Sequence, residues 1–475
     1  MSTNIAGCEK QIKATQASNR VYELIAAEKK RSETFLGYHS GLFAELKNTD
    51  ADVYQYIAAE YERLRSTIQL IAAESQCSRS VLAALGSIVQ NKTTEGFAGK
   101  RFHGGCQVVD SLEQLAIERA KKVFGAKYAN VQPHSGTQAN QIVMTAILQK
   151  GDKVLSLAMD QGGHVSHGAE VSFSGKFFEV ENFCVDPKSF LLDYDAIRRQ
   201  ALALKPKLII CGCSAYARTI DFKQFRQIAD EVGAYLLADI SHLASLISAG
   251  AHPSCVDHAH FTTTSTYKPG GPRGGLILMG RDFDKTITVN DKKTTLARLI
   301  DKTTFPGVQG TPYLNNIAAK AVFFNEMLTD DYQQRQFAVI ENAQALADRL
   351  VELGFDVITG GTDNHMVMIN IANFKSGLNG FIAQHSLEDC GIIVNMNKLP
   401  YDPKPAAITS GMRLGTPIVT RNGMGAEQMH TIIDLINQVL SAVEIRGEYE
   451  YSLDSRFRTD MSENVRVLNS RFPIF

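Results

Sequence analysis

Short apolar runs alternate with helical patterns between about residues 110 and 280. Each run is four or five residues long, and the runs cover residues 128–131, 153–157, 207–211, 234–238, 260–264 and 275–279. Short runs that are apolar on both faces and separated by helices are typical of a mostly parallel, buried sheet. The pattern therefore predicts an α/β fold, in which ligands bind beyond the carboxyl ends of the strands.

Helical periodicity dominates the regions on either side of this segment. Apolar residues at Val53, Ile57, Leu64, Ile68 and Ile71 recur at helical spacings and predict a helix over residues 50–74. Residues 1–50 are polar and mixed, and their pattern predicts an N-terminal extension with a helical stretch at 21–30. The segment 312–350 is also strongly helical.

A smaller α+β region follows this helical segment. Strands are predicted at residues 356–358, 366–371 and 392–395, and a helix is predicted from residue 425 to about residue 445. No repeat or low-complexity linker separates the two regions. We therefore expect them to pack together, with a ligand pocket between them.

Composition and charge narrow the class of protein. The chain has 475 residues, of which 44% are hydrophobic and 21% are charged, which excludes a disordered or fibrous protein. Lys and Arg total 49 against 50 Asp and Glu without charge blocks, so we expect no nucleic-acid or membrane partner. The absence of a long apolar run and of a signal-like start predicts a cytoplasmic protein. Eight scattered cysteines lack the spacing of a zinc site, and no metal is predicted.

Three groups at predicted strand ends carry candidate chemistry. Ser135, Gly136 and Thr137 open a helix, where free backbone N–H groups suit a phosphate, although a plain helix cap is the alternative. Asp239 ends a buried strand and could keep a pyridine nitrogen protonated, or cap a helix, or bind a metal. Lys268 stands before a Gly/Pro-rich turn, and a desolvated lysine amine readily forms an imine. Together the three groups describe a pyridoxal-phosphate site.

From about Leu64 to Leu440 the sequence resembles the serine hydroxymethyltransferase family of fold-type I pyridoxal-phosphate enzymes. Seven stretches in the same order carry the resemblance: EGFAGKRFHGG (95–105), QPHSGTQAN (132–140), GGHVSHG (162–168), ADISH (238–242), TTTSTYK (262–268), GPRGG (271–275) and SGMRLGTP (410–417). The resemblance implies a mostly parallel large-domain sheet and a smaller C-terminal α+β domain. Accordingly, we expect an N-terminal helical arm over residues 1–60, a cofactor-binding domain over 61–325 and a small domain over 326–475.

The resemblance also implies four catalytic residues. Lys268 would form the internal aldimine, Asp239 would pair with the pyridine nitrogen, His164 would stack on the ring, and Glu95 would act as acid/base near the substrate hydroxyl. Cofactor contacts are implied for a wider set, namely Ser135, Gly136, Thr137, His164, Ser214, Asp239, His242, Ser265, Tyr267, Lys268 and Gly307.

Substrate binding is implied at Arg413, whose planar guanidinium suits a carboxylate, with Glu95, His103 and His242 nearby. Glu95 and Gly307 would come from the neighbouring subunit, so the resemblance implies a homodimer with shared active sites. His134 and His167 lie in the motifs without a role that their chemistry demands, and we expect them to be structural.

Five positions near the substrate depart from the usual family residues: Ala73, Thr93, Phe102, His103 and Tyr267. The groups for carbanion chemistry are retained, so we expect aldol and retro-aldol chemistry on a β-hydroxy-α-amino acid through a glycine quinonoid. The departures favour a threonine-transaldolase-like or aldolase-like enzyme with an aldehyde as second substrate. A tetrahydrofolate-dependent hydroxymethyltransferase is the alternative, since Asn397 and Glu95 remain. A catalytically silent paralogue that binds pyridoxal phosphate is a third, minor alternative.

Overall fold

The computed structural model of the protein describes residues 41–289 and 291–474. The helical stretch predicted at 21–30 lies outside the described residues, as does most of the predicted N-terminal extension. Within the described residues, no helix combines the length and the apolar character that crossing a membrane requires.

A seven-stranded sheet forms the centre of the larger part of the molecule. Its strands follow the spatial order Tyr128–Asn130, Gly275–Met279, Phe261–Ser265, Tyr235–Asp239, Leu208–Cys211, Lys153–Leu157 and Glu179–Phe183. All neighbouring pairs are parallel except the two that involve Gly275–Met279. The predicted α/β class is therefore confirmed.

Each of the six predicted apolar runs forms a strand of this sheet, with boundaries that shift by at most one residue. The seventh strand, Glu179–Phe183, was not predicted. It lies at the edge of the sheet, where Glu179, Glu181 and Asn182 are exposed, so it lacks the continuous apolar pattern of a buried strand.

A second, antiparallel sheet has the order Asp356–Val357, Met366–Asn370, Gly411–Gly415 and Asn395–Asn397. The strand Gly411–Gly415 was missed because glycine stands at both of its ends. A separate parallel pair joins Ile68–Gln69 to Ile392–Ile393. Three two-stranded antiparallel ladders complete the sheets: Gly96–Phe97 with Lys100–Arg101, Thr286–Val289 with Lys292–Thr295, and Glu444–Ile445 with Tyr451–Ser452.

Sixteen α-helices occur in the described residues, and most cover the two sheets. They are Leu42–Thr49, Ala51–Ser66, Arg79–Leu85, Gln107–Phe124, Gly136–Ile147, Phe173–Phe177, Tyr194–Leu204, Phe222–Val232, Ala244–Ser248, Leu296–Lys302, Leu314–Met327, Asp330–Glu352, Gly380–Asp389, Pro417–Arg421, Ala426–Ala442 and Ser455–Ser470. The predicted helical segment 312–350 is thus two helices separated at Leu328 and Thr329.

The helix predicted over residues 50–74 ends earlier than expected, at Ser66. Thr67 is extended, and the backbone of Ile68 and Leu70 donates hydrogen bonds to Gly391 and Ile393 instead of continuing the helix. The helix prediction was therefore wrong beyond Ser66, because β-branched residues found partners in a distant strand.

Apolar side chains form a first core in two layers, one on each face of the seven-stranded sheet, and a second core around the second sheet. Ile68 and Leu70 are fully buried in the second core, although they precede the first sheet in the chain. The segment after the Ala51–Ser66 helix thus packs with residues that follow it by about 300 positions. The domain boundaries at residues 60 and 325 remain predictions.

Candidate active site

A cavity of about 320 Å³ lies at the carboxyl edge of the large sheet, where strands Tyr235–Asp239 and Phe261–Ser265 end. This is the edge at which ligands bind in open α/β sheets, and the volume lies at the lower end of the range for small-molecule sites. The lining brings together most of the predicted cofactor residues: His134, Ser135, Gly136, Thr137, His164, Asp239, Ser241, Ser265, Tyr267, Lys268, Arg273 and Gly274.

The N-terminus of helix Gly136–Ile147 forms one wall of the cavity. The Ser135 hydroxyl caps this helix by accepting a hydrogen bond of 3.1 Å from the backbone N–H of Gln138. Gly136 packs so closely that an added Cβ would lie 3.1 Å from the backbone nitrogen of Ser265. The first-turn N–H groups of this twelve-residue helix therefore line a space that an anionic group can enter.

The Ser265 hydroxyl lines the same wall and is buried without a hydrogen-bond partner in the described part of the chain. A buried polar atom of this kind costs free energy unless a ligand or water satisfies it. The unpaired hydroxyl, the helix N-terminus and the close-packed Gly136 together fit the phosphate of the predicted cofactor.

Asp239 is buried and accepts hydrogen bonds at both carboxylate oxygens. Oδ1 accepts from the backbone N–H and the hydroxyl of Ser241, at 3.0 and 2.6 Å. Oδ2 accepts from Nδ2 of Asn140 at 2.8 Å and from Nε2 of His167 at 3.0 Å. Burial raises the pKa of Asp239, but the hydrogen bond and charge of His167 outweigh it and hold the pKa well below its usual range. The group is therefore an anion that could keep a pyridine nitrogen protonated.

The ligand atoms of His164, His167 and Asp239 lie within 4.8 Å of one another. The oxygens of Asp239 already take four hydrogen bonds, and Nδ1 of His164 accepts from the backbone N–H of Ser166 at 3.2 Å. Burial lowers the pKa of His164 to about 4, so its ring is neutral near pH 7. His167 therefore bonds Asp239 directly, whereas His164 is connected to Asp239 through Ser166 and Asn140.

Lys268 follows strand Phe261–Ser265 by three residues and lines the cavity. Burial lowers its pKa, and the charges of Arg413 and Arg273 add to this effect, while the Asp239 carboxylate opposes it. A lower pKa increases the fraction of neutral amine, which is the form that attacks a carbonyl. The predicted convergence of Asp239 and Lys268 on one cavity is observed.

Tyr267 lies on the cavity wall beside Lys268. The guanidinium carbon of Arg273 lies 4.0 Å from the centre of the Tyr267 ring, and Nζ of Lys268 lies 5.7 Å from it. These distances are typical of cation–π contacts. The aromatic face at this position is therefore covered by a cation that also lines the cavity.

Arg413 lies in strand Gly411–Gly415 of the second sheet and is largely buried. Its Nε and one terminal nitrogen, Nη2, each donate to Oδ1 of Asn395 at 3.3 Å, and Nη1 donates to the backbone oxygen of Ser214. Burial lowers the pKa of Arg413 to about 10, so it remains charged at neutral pH. Among described residues no carboxylate lies within 4.0 Å of this guanidinium, which leaves a buried cation suited to an anionic ligand.

Ser214 and His242 do not line the cavity itself. Ser214 is tied to the sheet edge by its backbone N–H, which donates to the oxygen of Gly162 at 2.7 Å. His242 is buried, and its Nδ1 lies 3.3 Å from Nε2 of His365. Burial and the neighbouring charges of Lys268 and Arg413 hold the pKa of His242 well below its usual value.

Glu95, His103 and Gly307 are not among the residues that line the cavity of this chain. Glu95 is half-buried next to the Gly96–Phe97 hairpin, whereas His103 and Gly307 are exposed. Phe102 is 76% exposed and contacts the ring of Phe305. Glu95, His103 and Gly307 therefore lie outside the cavity lining, in a region that includes the exposed ring of Phe102.

Sequence reasoning assigned no role to several residues that shape the site. Asn140 and Ser241 hold Asp239, and both lie inside motifs that carried the resemblance, which was the available signal. His167, expected to be structural, contacts Asp239 directly. Lys320 lies in the helix Leu314–Met327, and no local pattern distinguishes it.

Lys320 is fully buried behind the Ser135 turn. Its Nζ donates to the backbone oxygens of Val131, Pro133 and Gly275, at 2.7, 3.2 and 2.8 Å. Burial lowers the pKa of Lys320 to about 7. This side chain therefore ties together the ends of two neighbouring strands below the cavity.

Comparison with known protein families is consistent with this geometry. The model of a family described as serine hydroxymethyltransferase matches residues 46–436. The match covers most of the 475-residue chain and includes every predicted site residue.

Proposed function

This chain belongs to the serine hydroxymethyltransferase family, and we propose that within this family it is a threonine-transaldolase-like or aldolase-like enzyme. As a member of this family, the protein is a fold-type I, pyridoxal-phosphate-dependent transferase acting on amino acids such as glycine and serine. In the proposed reaction a β-hydroxy-α-amino acid such as L-threonine loses its aldehyde, and the glycine unit that remains is joined to a second aldehyde.

Different residues of the cavity would hold different parts of the cofactor. When bound, pyridoxal phosphate supplies an aldehyde carbon that captures an amino group and a pyridinium ring that withdraws the electron pair left at the substrate Cα. Lys268 would offer the amine, and Asp239 would hold a proton at the ring nitrogen. Ser135, Gly136 and the unpaired hydroxyl of Ser265 would receive the phosphate. The neutral ring of His164, which lines the cavity, would pack on the cofactor ring.

Arg413 orients the amino-acid substrate. An arginine has five N–H donors, and Asn395 and Ser214 use three of them. One N–H on each terminal nitrogen is left for a ligand. A carboxylate bound end-on to this pair fixes the direction of the Cα substituents.

We propose that Glu95, His103 and Gly307 complete the cavity of a neighbouring subunit in a homodimer. All three lie away from the cavity of their own chain, and the aromatic ring of Phe102 beside them is 76% exposed. A partner that covers this ring would remove apolar surface from water. Glu95 would then take the proton of the substrate hydroxyl when the Cα–Cβ bond breaks.

Tyr267 is the observation that most favours an aldehyde as the second substrate. It replaces the histidine that the family usually has before the lysine, and it lines the cavity under Arg273. The phenol also lies close enough to Arg413 to oppose the lowering of its pKa by burial. An aromatic residue on the cavity wall suits an apolar or aromatic aldehyde, while the residues that support the carbanion are retained.

A tetrahydrofolate-dependent hydroxymethyltransferase is the second candidate, because Asn397 and Glu95 are retained. Asn397 is half-buried in the second sheet, and its side chain donates 2.6 Å to the backbone oxygen of Lys398. Folate binding would require this amide to turn toward the ligand.

The deciding experiment compares two reactions at equal enzyme concentration: L-threonine with benzaldehyde, and L-serine with tetrahydrofolate. We expect release of acetaldehyde and formation of a phenyl-bearing β-hydroxy-α-amino acid in the first, without folate. Tyr267→His should move activity toward serine, whereas Tyr267→Phe should keep the aldehyde reaction. Fast, folate-dependent serine turnover with no aldehyde exchange would instead identify an ordinary hydroxymethyltransferase. Lys268→Ala is the inactive control for both assays.

A further inference from the structure

Two buried histidines lie close together between the second sheet and the carboxyl edge of the seven-stranded sheet. His242 follows Asp239 by three residues, and His365 immediately precedes strand Met366–Asn370. Nδ1 of His242 lies 3.3 Å from Nε2 of His365, and their ring planes differ by 16°. The same Nε2 of His365 lies 3.2 Å from the backbone oxygen of Ala72.

These contacts determine where the protons lie. A carbonyl oxygen only accepts hydrogen bonds, so Nε2 of His365 must carry a proton to bond Ala72. Burial lowers the pKa of His365 to about 3 and holds that of His242 well below its usual value, so each ring is neutral and has one proton. The single Nε2 proton of His365 faces both the Ala72 oxygen and Nδ1 of His242. Nδ1 of His242 is therefore an unprotonated acceptor, and the proton of His242 resides on Nε2.

The opposite arrangement of protons is unfavourable. It would place an unprotonated nitrogen of His365 against the oxygen of Ala72. It would also put a proton on Nδ1 of His365, a buried atom without a partner in the described residues. A buried donor without an acceptor costs free energy, and two lone pairs facing each other add to the cost.

Ala72 is a firm anchor for this assignment. Gly415, two residues after Arg413, packs against it so closely that an added Cβ would lie 2.3 Å from the Ala72 Cα. The backbone N–H of Gly415 also donates to the oxygen of Leu70 at 2.8 Å. The Ala72 carbonyl is therefore held by the same strand that carries Arg413.

We infer that His365 is a positioning residue that fixes the proton of His242 on Nε2, so that His242 offers a hydrogen-bond donor to a bound anion. Nε2 of His242 has no hydrogen-bond partner in the described part of the chain. The cations whose charges act on His242 are Lys268 and Arg413, while the nearby rings of His365 and His164 are neutral. A cationic neighbourhood attracts anions, and a nitrogen lone pair facing an anion would repel it. The positions of the protons follow from the contacts alone and do not depend on the proposed function. We take the anion to be the carboxylate of an amino-acid substrate, and this choice rests on the proposed function.

Two isosteric variants test the inference in the holoenzyme. His365→Gln places an amide nitrogen near the position of Nε2, where its two N–H groups reach both Ala72 and His242. His365→Asn places its amide near Nδ1 and leaves both contacts unmade. Glycine affinity is measured from the change in cofactor absorbance, and thermal stability is measured alongside it. We expect His365→Gln to bind glycine within threefold of the parent protein and His365→Asn to bind at least tenfold more weakly.

Neutron diffraction from perdeuterated crystals of the unmodified protein provides a measurement that needs no variant. Deuterium on Nε2 of both histidines is the expected result. Deuterium on Nδ1 of either ring would overturn the inference, as would equal glycine affinity in the Gln and Asn variants. If the unmodified protein fails to bind glycine, the proposed function is wrong, and the neutron map still decides the tautomer.

Discussion

Replacing Arg413 with lysine should weaken amino-acid binding while leaving the cofactor site intact. The substitution keeps the positive charge but removes the planar pair of N–H groups left free by Asn395 and Ser214. A lysine ammonium is a point donor and would make one of the two charge-assisted bonds to the carboxylate. Losing one such bond costs about 1.5–3 kcal/mol, which corresponds to a dissociation constant about 10- to 150-fold higher.

The assay compares two ligands that differ only at the carboxylate. Glycine and glycinamide are titrated into holoenzyme, and binding is followed by the cofactor absorbance. Arg413→Lys should raise the dissociation constant of glycine by the factor given above and change that of glycinamide much less. The spectrum of the ligand-free holoenzyme should stay as in the parent, because Arg413 lies outside the cavity wall.

The control for this comparison is Arg281→Lys, an equivalent change at a side chain that is 56% exposed. This control substitution should change the affinity for neither glycine nor glycinamide. Unchanged glycine affinity in Arg413→Lys would show that another group holds the carboxylate. An equal loss for glycine and glycinamide would show general damage to the site, and the reasoning from the guanidinium geometry would be refuted.

Three further predictions concern assembly, stability and pH. Mixing inactive Lys268→Ala with inactive Glu95→Gln should restore activity by forming hybrid dimers with one intact site; no recovery despite demonstrated subunit exchange would contradict a shared site. Lys320→Met should lower the free energy of unfolding by about 3 kcal/mol, because buried carbonyls lose their donor, and urea denaturation at fixed protein concentration checks this; Lys320→Gln should lose less, since an amide keeps two N–H groups. Burial lowers the pKa of His164 from 6.5 to about 4, so between these pH values the unfolded chain binds a proton that the folded chain does not. The contribution of neutral His164 to the free energy of unfolding is therefore fully present above pH 6.5 and is lost as the pH falls toward 4. His164→Phe should show a smaller drop in melting temperature between these two pH values than the parent protein.

The strands that carry the candidate site were predictable because their burial is written into local sequence. Runs such as Lys153–Leu157 and Gly275–Met279 are apolar on both faces, which happens when helices cover both sides of a sheet. The alternation of strands and helices then placed Asp239 and Lys268 at one edge, since the carboxyl ends of parallel strands meet there. Both side chains line the same cavity.

Partners distant in the chain could not be obtained from such patterns. Ile68 fits a helical pattern in the sequence but pairs with Ile392 in a parallel strand pair. The hydrogen bond from Asn140 to Asp239 joins residues 99 positions apart. Neither contact has a local signature, because each depends on how separate elements pack.

The sequence by itself determined the α/β class, the cofactor and the family, since these follow from short motifs whose chemistry is local. Only the tertiary structure decided the protonation of the site. Whether Asp239 is ionised depends on donors from three separate segments, and whether His242 donates from Nε2 depends on His365 and on the carbonyl of Ala72. A proton occupies the position that its surrounding donors and acceptors favour, and those surroundings exist only after distant parts of the chain have packed together.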